Sequence, residues 1–171
     1  KLTIQFFPEG GALIEGITSR IAFKAESREE GEVKLSGAII DKSGKELTKL
    51  ETQRDGMGIF SYTPISGKNV ASATVNYKGK EYSFPLPTAL PAGYAMSVYD
   101  ASGAMLISVG CNSNTPEDDM AVFISKDGRP YAYQAFHSQK DKPQSFLIKT
   151  RDFPGGVYQI TLLNKNGQTL C

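Results

Sequence analysis

The sequence has no tryptophan, one histidine and two cysteines. Each scarcity excludes something. His137 has no Ser or Asp at a spacing that builds a catalytic triad, so the one imidazole reads as a partly exposed side chain at a strand end. Cys111 and Cys171 are too few for a disulfide framework and do not settle the redox compartment. Neither has a His near it in sequence to activate it, so a cysteine nucleophile is unsupported, and two unrelated thiols are expected in preference to a bonded pair. No apolar run approaches the roughly 18 residues of a membrane span, and no charged stretch followed by an apolar one marks a signal peptide. An excess of one charge is also missing. The 19 basic and 18 acidic residues are interleaved for a net charge of +1, which leaves no basic stripe for phosphate and excludes nucleic acid as a partner. No metal-ligand or phosphate-cradle spacing occurs, so no cofactor, no metal and no catalytic residue are expected.

What the sequence does contain is alternation. In Phe6 to Ala25, Pro8, Gly10 and Gly11 turn the chain, and then Ile21, Phe23 and Ala25 point one way while Arg20, Ala22, Lys24 and Glu26 point the other. A period of two with one apolar face is a half-buried strand. Val33, Leu35, Gly37 and Ile39 predict another, as do Phe60 with Tyr62 and Ala71, Ala73, Val75 with Tyr77. Turn chemistry separates these runs: Asp41 to Gly44, Asp55-Gly56, Lys78-Gly79, Asp100 to Gly103, Asp127-Gly128 and Asn164 to Gly167. No segment shows a helical period, except that Thr115-Pro-Glu-Asp-Asp119 predicts a single helical turn with Thr115 as its N-cap. Short strands at this spacing predict an all-β chain of immunoglobulin-like antiparallel sandwiches.

The 171 residues suit one large domain or two small ones. Pro85-Leu-Pro-Thr-Ala-Leu-Pro91 cannot serve as an internal strand and reads as a semi-rigid linker. It divides the chain into a sandwich over residues 1–87 and a second over residues 92–171. The chain opens at Lys1 and stops at Leu170-Cys171 where a strand has begun, so an excised piece is expected, with its second domain truncated at the C-terminus.

Phe6-Phe-Pro-Glu-Gly-Gly-Ala-Leu-Ile-Glu-Gly-Ile-Thr-Ser-Arg-Ile-Ala-Phe-Lys-Ala25 resembles a segment of macroglobulin-type domains. These are the α2-macroglobulin-like repeats of large envelope proteins of Bacteroides-type bacteria, some of which carry a TonB-receptor-plug region. Gly37 to Gly44, Asp55 to Phe60, and Phe153 to Leu170 are similar to later elements of such domains. The resemblance implies tandem macroglobulin-type sandwiches, a periplasmic, outer-membrane-associated or cell-surface setting, and neighbouring domains or other envelope proteins as partners. The thioester motif Cys-Gly-Glu-Gln of true α2-macroglobulins is not present: Cys111 is followed by Asn-Ser-Asn. Protease trapping is therefore not implied.

Two side-chain groups merit a structural test. Asn112, Asn114, Glu117, Asp118 and Asp119 are oxygen donors in one loop, but their spacing matches no EF-hand and a capped turn accounts for the acids without calcium. Tyr131 and Tyr133 lie on one predicted strand and offer a stacking platform for glycan or peptide, although tyrosines so placed more often line a core edge. The expected function is a non-catalytic structural and interaction module. The alternative is a glycan- or peptide-binding module that uses exposed aromatics or a sheet edge.

Overall fold

A computed structural model describes residues 1–65 and 71–171. Every regular element among them is a strand, and all pairings between strands are antiparallel. The chain divides into two compact units, Lys1–Pro91 and Ala92–Cys171.

The first unit contains β1 (Leu2–Pro8), β2 (Ser19–Ser27), β3 (Gly31–Glu32), β4 (Ser36–Ile40), β5 (Glu46–Glu51), β6 (Met57–Tyr62), β7 (Ser72–Tyr77) and β8 (Lys80–Pro85). The alternation in β2 becomes alternating burial over its whole length. One edge of β2 pairs with β1, and the other pairs with β6 and then β3. The second sheet runs in the order β5-β4-β7-β8. Ile21, Phe23, Ala25 and Phe60 from the first sheet share one core with Ile39, Leu50, Ala73 and Val75 from the second. That shared core makes the unit a sandwich, because each sheet buries its apolar face against the other.

Of the expected strand from Val33 to Ile39 only the later part forms, as β4, while Val33 to Leu35 lie outside any strand and β3 precedes them. β3 pairs with β2, whereas β4 pairs with β5 and β7 in the other sheet. The chain changes sheets at Val33 to Leu35, and an alternation of apolar residues carries no mark of such a crossing. Thr52 makes the crossing possible. Its hydroxyl accepts the Leu35 N–H at 2.9 Å and lies 3.1 Å from the Leu35 carbonyl, so the buried backbone there stays satisfied.

The proline-rich segment is held by the first unit. Leu86 is buried and its N–H donates to Ala71 O, while the Leu90 N–H donates to Leu13 O. Its prolines end β8, as their missing donors require.

The second unit contains β9 (Tyr94–Asp100), β10 (Ala104–Cys111), β11 (Asp119–Lys126), β12 (Arg129–His137), β13 (Gln144–Lys149) and β14 (Gln159–Asn164). They form two sheets, β13-β10-β9 and β12-β11-β14. Met96, Ile107 and Val109 from one sheet meet Met120, Val122, Ile124 and Leu162 from the other. This too is a sandwich. Three hairpins turn on a residue-glycine pair with positive φ at both positions, Lys78-Gly79, Ser102-Gly103 and Asp127-Gly128, and Asp55-Gly56 makes the same turn between β5 and β6, which lie in different sheets. That is the backbone twist favoured between antiparallel strands. Asp41 and Asn164 build a different turn, in which one side-chain oxygen accepts two backbone N–H groups ahead of it.

The predicted helical turn at Thr115 to Asp119 does not form. The Thr115 hydroxyl is buried, accepts the Gly93 N–H at 2.7 Å, and lies 2.7 Å from Asn112 Oδ1. A side chain committed to those partners is not free to cap the N–H groups that follow it. Asp119 instead opens β11.

Gly58 supplies a direct test of the first core. A Cβ there would strike the Glu51 carbonyl and sit 2.5 Å from the Phe23 ring. Gly58→Ala should destabilise the protein by about 1–3 kcal/mol, the usual cost of overpacking, read from urea unfolding. Gly155→Ala, where a Cβ meets no neighbour, should leave the unfolding midpoint unchanged.

Candidate functional site

The polar loop after β10 acts as a clasp. Glu117 Oε1 accepts the Lys140 N–H at 3.0 Å, Asp118 pairs with Lys165 at 3.2 Å, and Asp119 contacts His137 Nδ1 at 2.8 Å. Ser138 Oγ accepts the Asp118 N–H at 2.8 Å. These acids thus point to separate partners and do not converge. Among the described residues no group of three or more His, Cys, Asp or Glu side chains is arranged to hold a metal ion. His137 sits at the end of β12, exposed, with Asp119 as its carboxylate partner.

Both cysteines carry free thiols. Cys111 is buried and its thiol donates to Gln139 O at 3.5 Å. Burial raises its pKa, with Glu117 and Asp141 adding to the effect. Burial also pushes the Cys171 thiol up to about 11. A nucleophilic cysteine needs the opposite shift, toward thiolate at neutral pH.

Tyr131 and Tyr133 occupy different surroundings. The pairing of β11 with β12 slips at Ser125, which faces Pro130 while Ile124 faces Ala132, so Tyr131 is the extra residue of a β-bulge. Its ring packs 5.4 Å from Phe153 and 5.2 Å from Tyr158. Tyr133 lies outside that cluster and is 73% exposed.

A groove of about 430 Å³ adjoins the cluster, walled by Val98 and Asp100 of β9, Met105 of β10, Phe153, Tyr158 and Ile160 of β14. The loop between β13 and β14 shapes it. The Tyr158 hydroxyl donates to Pro154 O at 2.5 Å, and Lys126 Nζ donates to Gly155 O at 2.5 Å. Gly156 has φ 136°, a backbone conformation that favours glycine, and Lys126 Nζ lies close beside it. The walls are aromatic and aliphatic, with Asp100 the one carboxylate. Such a lining can stack and enclose an apolar group, and it offers no nucleophile and base in partnership. Phe153 and Tyr158 were not singled out from the sequence. A Phe-Pro-Gly-Gly stretch two residues before a Tyr is their only signal.

Outward faces of both units carry apolar rows. Tyr99, Leu106 and Leu147 stand side by side across β9, β10 and β13, with exposures of 41%, 36% and 62%. Phe7, Ala22 and Ile59 form a similar row across β1, β2 and β6, and Phe7 is 52% exposed. No helix among the described residues is long and apolar enough to cross a membrane.

No protein-family model and no curated protein matches the chain. Among solved structures, the chain is similar to the native conformation of E. coli alpha-2-macroglobulin determined by cryo-EM, with 12% sequence identity and a TM-score of 0.34. The match covers 98% of this chain and 13% of that one, so the chain spans about an eighth of the length of that protein.

The thiol at Cys171 gives a pH test. Its pKa is raised from 9.0 to about 11, so the folded state disfavours the thiolate. Iodoacetamide labelling of Cys171 in the native protein should be slow at pH 8 and climb until about pH 11. The unfolded chain should level off near the ordinary value. The same shift makes the folded state lose stability as pH rises through that window, because the unfolded chain gives up this proton first. A native labelling plateau below pH 9 would contradict the burial argument.

Proposed function

We propose that this chain is a non-catalytic scaffold and interaction segment of a larger bacterial envelope protein, working through contact with neighbouring domains. The observation that carries it is an apolar row on the outer face of each unit, exposed throughout at Tyr99, Leu106 and Leu147, and exposed at Phe7 beside the half-buried Ala22 and Ile59. Single exposed apolar residues are ordinary, but residues adjacent across three strands form a surface that a partner can cover. The polar side chains of the second unit support the same role, since its acids tie loops together and do not assemble a reactive set. The residues of Phe6 to Ala25 that resemble macroglobulin-type domains favour a periplasmic, outer-membrane-associated or cell-surface location.

A second role is favoured by the groove beside Phe153 and Tyr158. There an aromatic-lined cleft would take a glycan or peptide, with Tyr131 supporting the aromatic wall and Tyr133 exposed further along β12.

The two roles separate by experiment. Expressed with the segments encoded on either side of it, a scaffold segment should melt at a higher temperature than it does alone, and it should give no signal on a glycan-and-peptide array. Micromolar binding on the array that is lost in Tyr158→Ala or Tyr133→Ala would instead establish the ligand-binding role.

A further inference from the structure

Strand β13 has an open edge. Among the described residues it pairs with β10 alone. The opposite edge therefore presents alternate backbone N–H and C=O groups to whatever lies beside it. The usual protections of such an edge are thin here. Gln144–Lys149 contains no proline, its register with β10 runs without a shift, and Lys149 is its one charged residue. The side chains add to the exposure. Leu147 points outward at 62% exposure, at the end of the row with Leu106 and Tyr99. On the inner face Phe146 and Ile148 are only partly buried at the margin of the core, where the Phe146 ring lies 4.9 Å from Phe136.

We propose that β13 pairs antiparallel with β13 of a second copy, about a two-fold axis at Leu147, joining two three-stranded sheets into one continuous sheet. This rests on the reading of that outer face as a contact surface, and it names what lies beside its open edge.

The register selects itself. A two-fold axis at Leu147 places Leu147 opposite its own counterpart on the outer face and Phe146 opposite Ile148 on the inner face. Apolar residues then meet apolar residues on both sides. Lys149 faces Ser145, so no like charges oppose one another. Moving the axis one residue to Ile148 sets Leu147 against Lys149, and moving it to Phe146 sets Leu147 against Ser145. Both alternatives lose the apolar pair on the exposed face. In the proposed register the row Tyr99, Leu106, Leu147 runs on without a gap into the same row of the second copy. A two-fold contact of this kind is closed, so it stops at a dimer.

Cysteine substitution tests the register in the full chain, in a Cys171→Ser background. Paired residues across antiparallel strands have Cα atoms about 4.5–5.5 Å apart, inside the range a disulfide spans. Leu147→Cys should therefore give a disulfide-linked dimer on mild oxidation. Ser145→Cys should not, because its counterpart would lie about 14 Å away along the strands. Sedimentation equilibrium of the unmodified chain should show a reversible dimer, and Leu147→Lys should weaken it about tenfold or more by placing two ammonium groups opposite each other. Leu147 is exposed, so an unchanged melting curve at low concentration would show that Leu147→Lys still folds. A chain that stays monomeric at millimolar concentration, or crosslinking as fast through Ser145→Cys as through Leu147→Cys, would overturn the pairing. Neither result touches the scaffold role, which fails separately if the flanking segments leave the melting temperature unchanged.

Discussion

The packing of the Phe23 ring over Gly58 is the contact on which the first unit depends. The two residues are register partners across β2 and β6, and Phe6 lies on the other side of Phe23 in the same inward row. Two large side chains followed by none leaves a hollow, and the Phe23 ring fills it. The ring thereby reaches Phe60, 6.1 Å away between centroids, which in turn meets Phe6 edge-on at 6.3 Å. The missing Cβ has a second consequence. The Glu51 carbonyl of β5 comes up against the same position, so the two sheets approach one another there. A glycine inside a strand usually weakens it. Here it lets the Glu51 backbone and the Phe23 ring come close, and the loss of strand propensity is offset by burying an entire aromatic ring, worth about 1.5–3 kcal/mol.

The second unit distributes its aromatics differently. Its centre is aliphatic, built on Ile107, Val122, Ile124 and Leu162, while the rings gather at the margins. Phe136 and Phe146 meet where β12 and β13 run, and Tyr131, Phe153 and Tyr158 meet beside the groove. The bulge at Tyr131 explains how one strand serves both groups. The extra residue changes which way the side chains point, so Ala132 and Phe136 face the core while Tyr131 joins the loop rings. Aromatic side chains at the rim of a small sandwich remain within reach of a partner, whereas Phe6, Phe23 and Phe60 of the first unit pack into its core.

Much of this was legible in the sequence because it depends on local periodicity. The alternations of β2, β6 and β7 and the residue-glycine turns follow from side chains and φ preferences a few residues apart. What was not legible depends on pairing. The break between β3 and β4 is a change of partner sheet, and Val33 and Leu35, which lie within it, are apolar and alternate as a strand would. Thr115 reads as an N-cap until Gly93 is brought beside it from elsewhere in the chain. Tyr131 and Tyr133, two apart, read as neighbours on one face, and only the slip opposite Ser125 separates them. The row of Tyr99, Leu106 and Leu147 exists only once two registers are known. Each of the three looks like an isolated surface residue in sequence.

Magnitudes constrain how such rows can act. Fully burying a leucine or aromatic side chain contributes about 1.5–3 kcal/mol, and these residues are already partly covered, so one row offers only a few kcal/mol. Bringing two separate molecules together costs roughly 4–15 kcal/mol in lost freedom of motion. A row of this size does not hold a complex between independent partners by apolar burial alone. Two arrangements escape that limit. A partner tethered in the same chain faces a much smaller association cost, because the linker supplies a high effective concentration. A partner that adds a strand gains backbone hydrogen bonds beyond the row itself. The outer face of β1, β2 and β6 ends at β1, whose seven residues include a proline at one end. The face of β9, β10 and β13 ends at a strand with no proline, no bulge and a leucine at its middle. The first face is thus better suited to a tethered neighbour, and the second is the one where an added strand fits the physics.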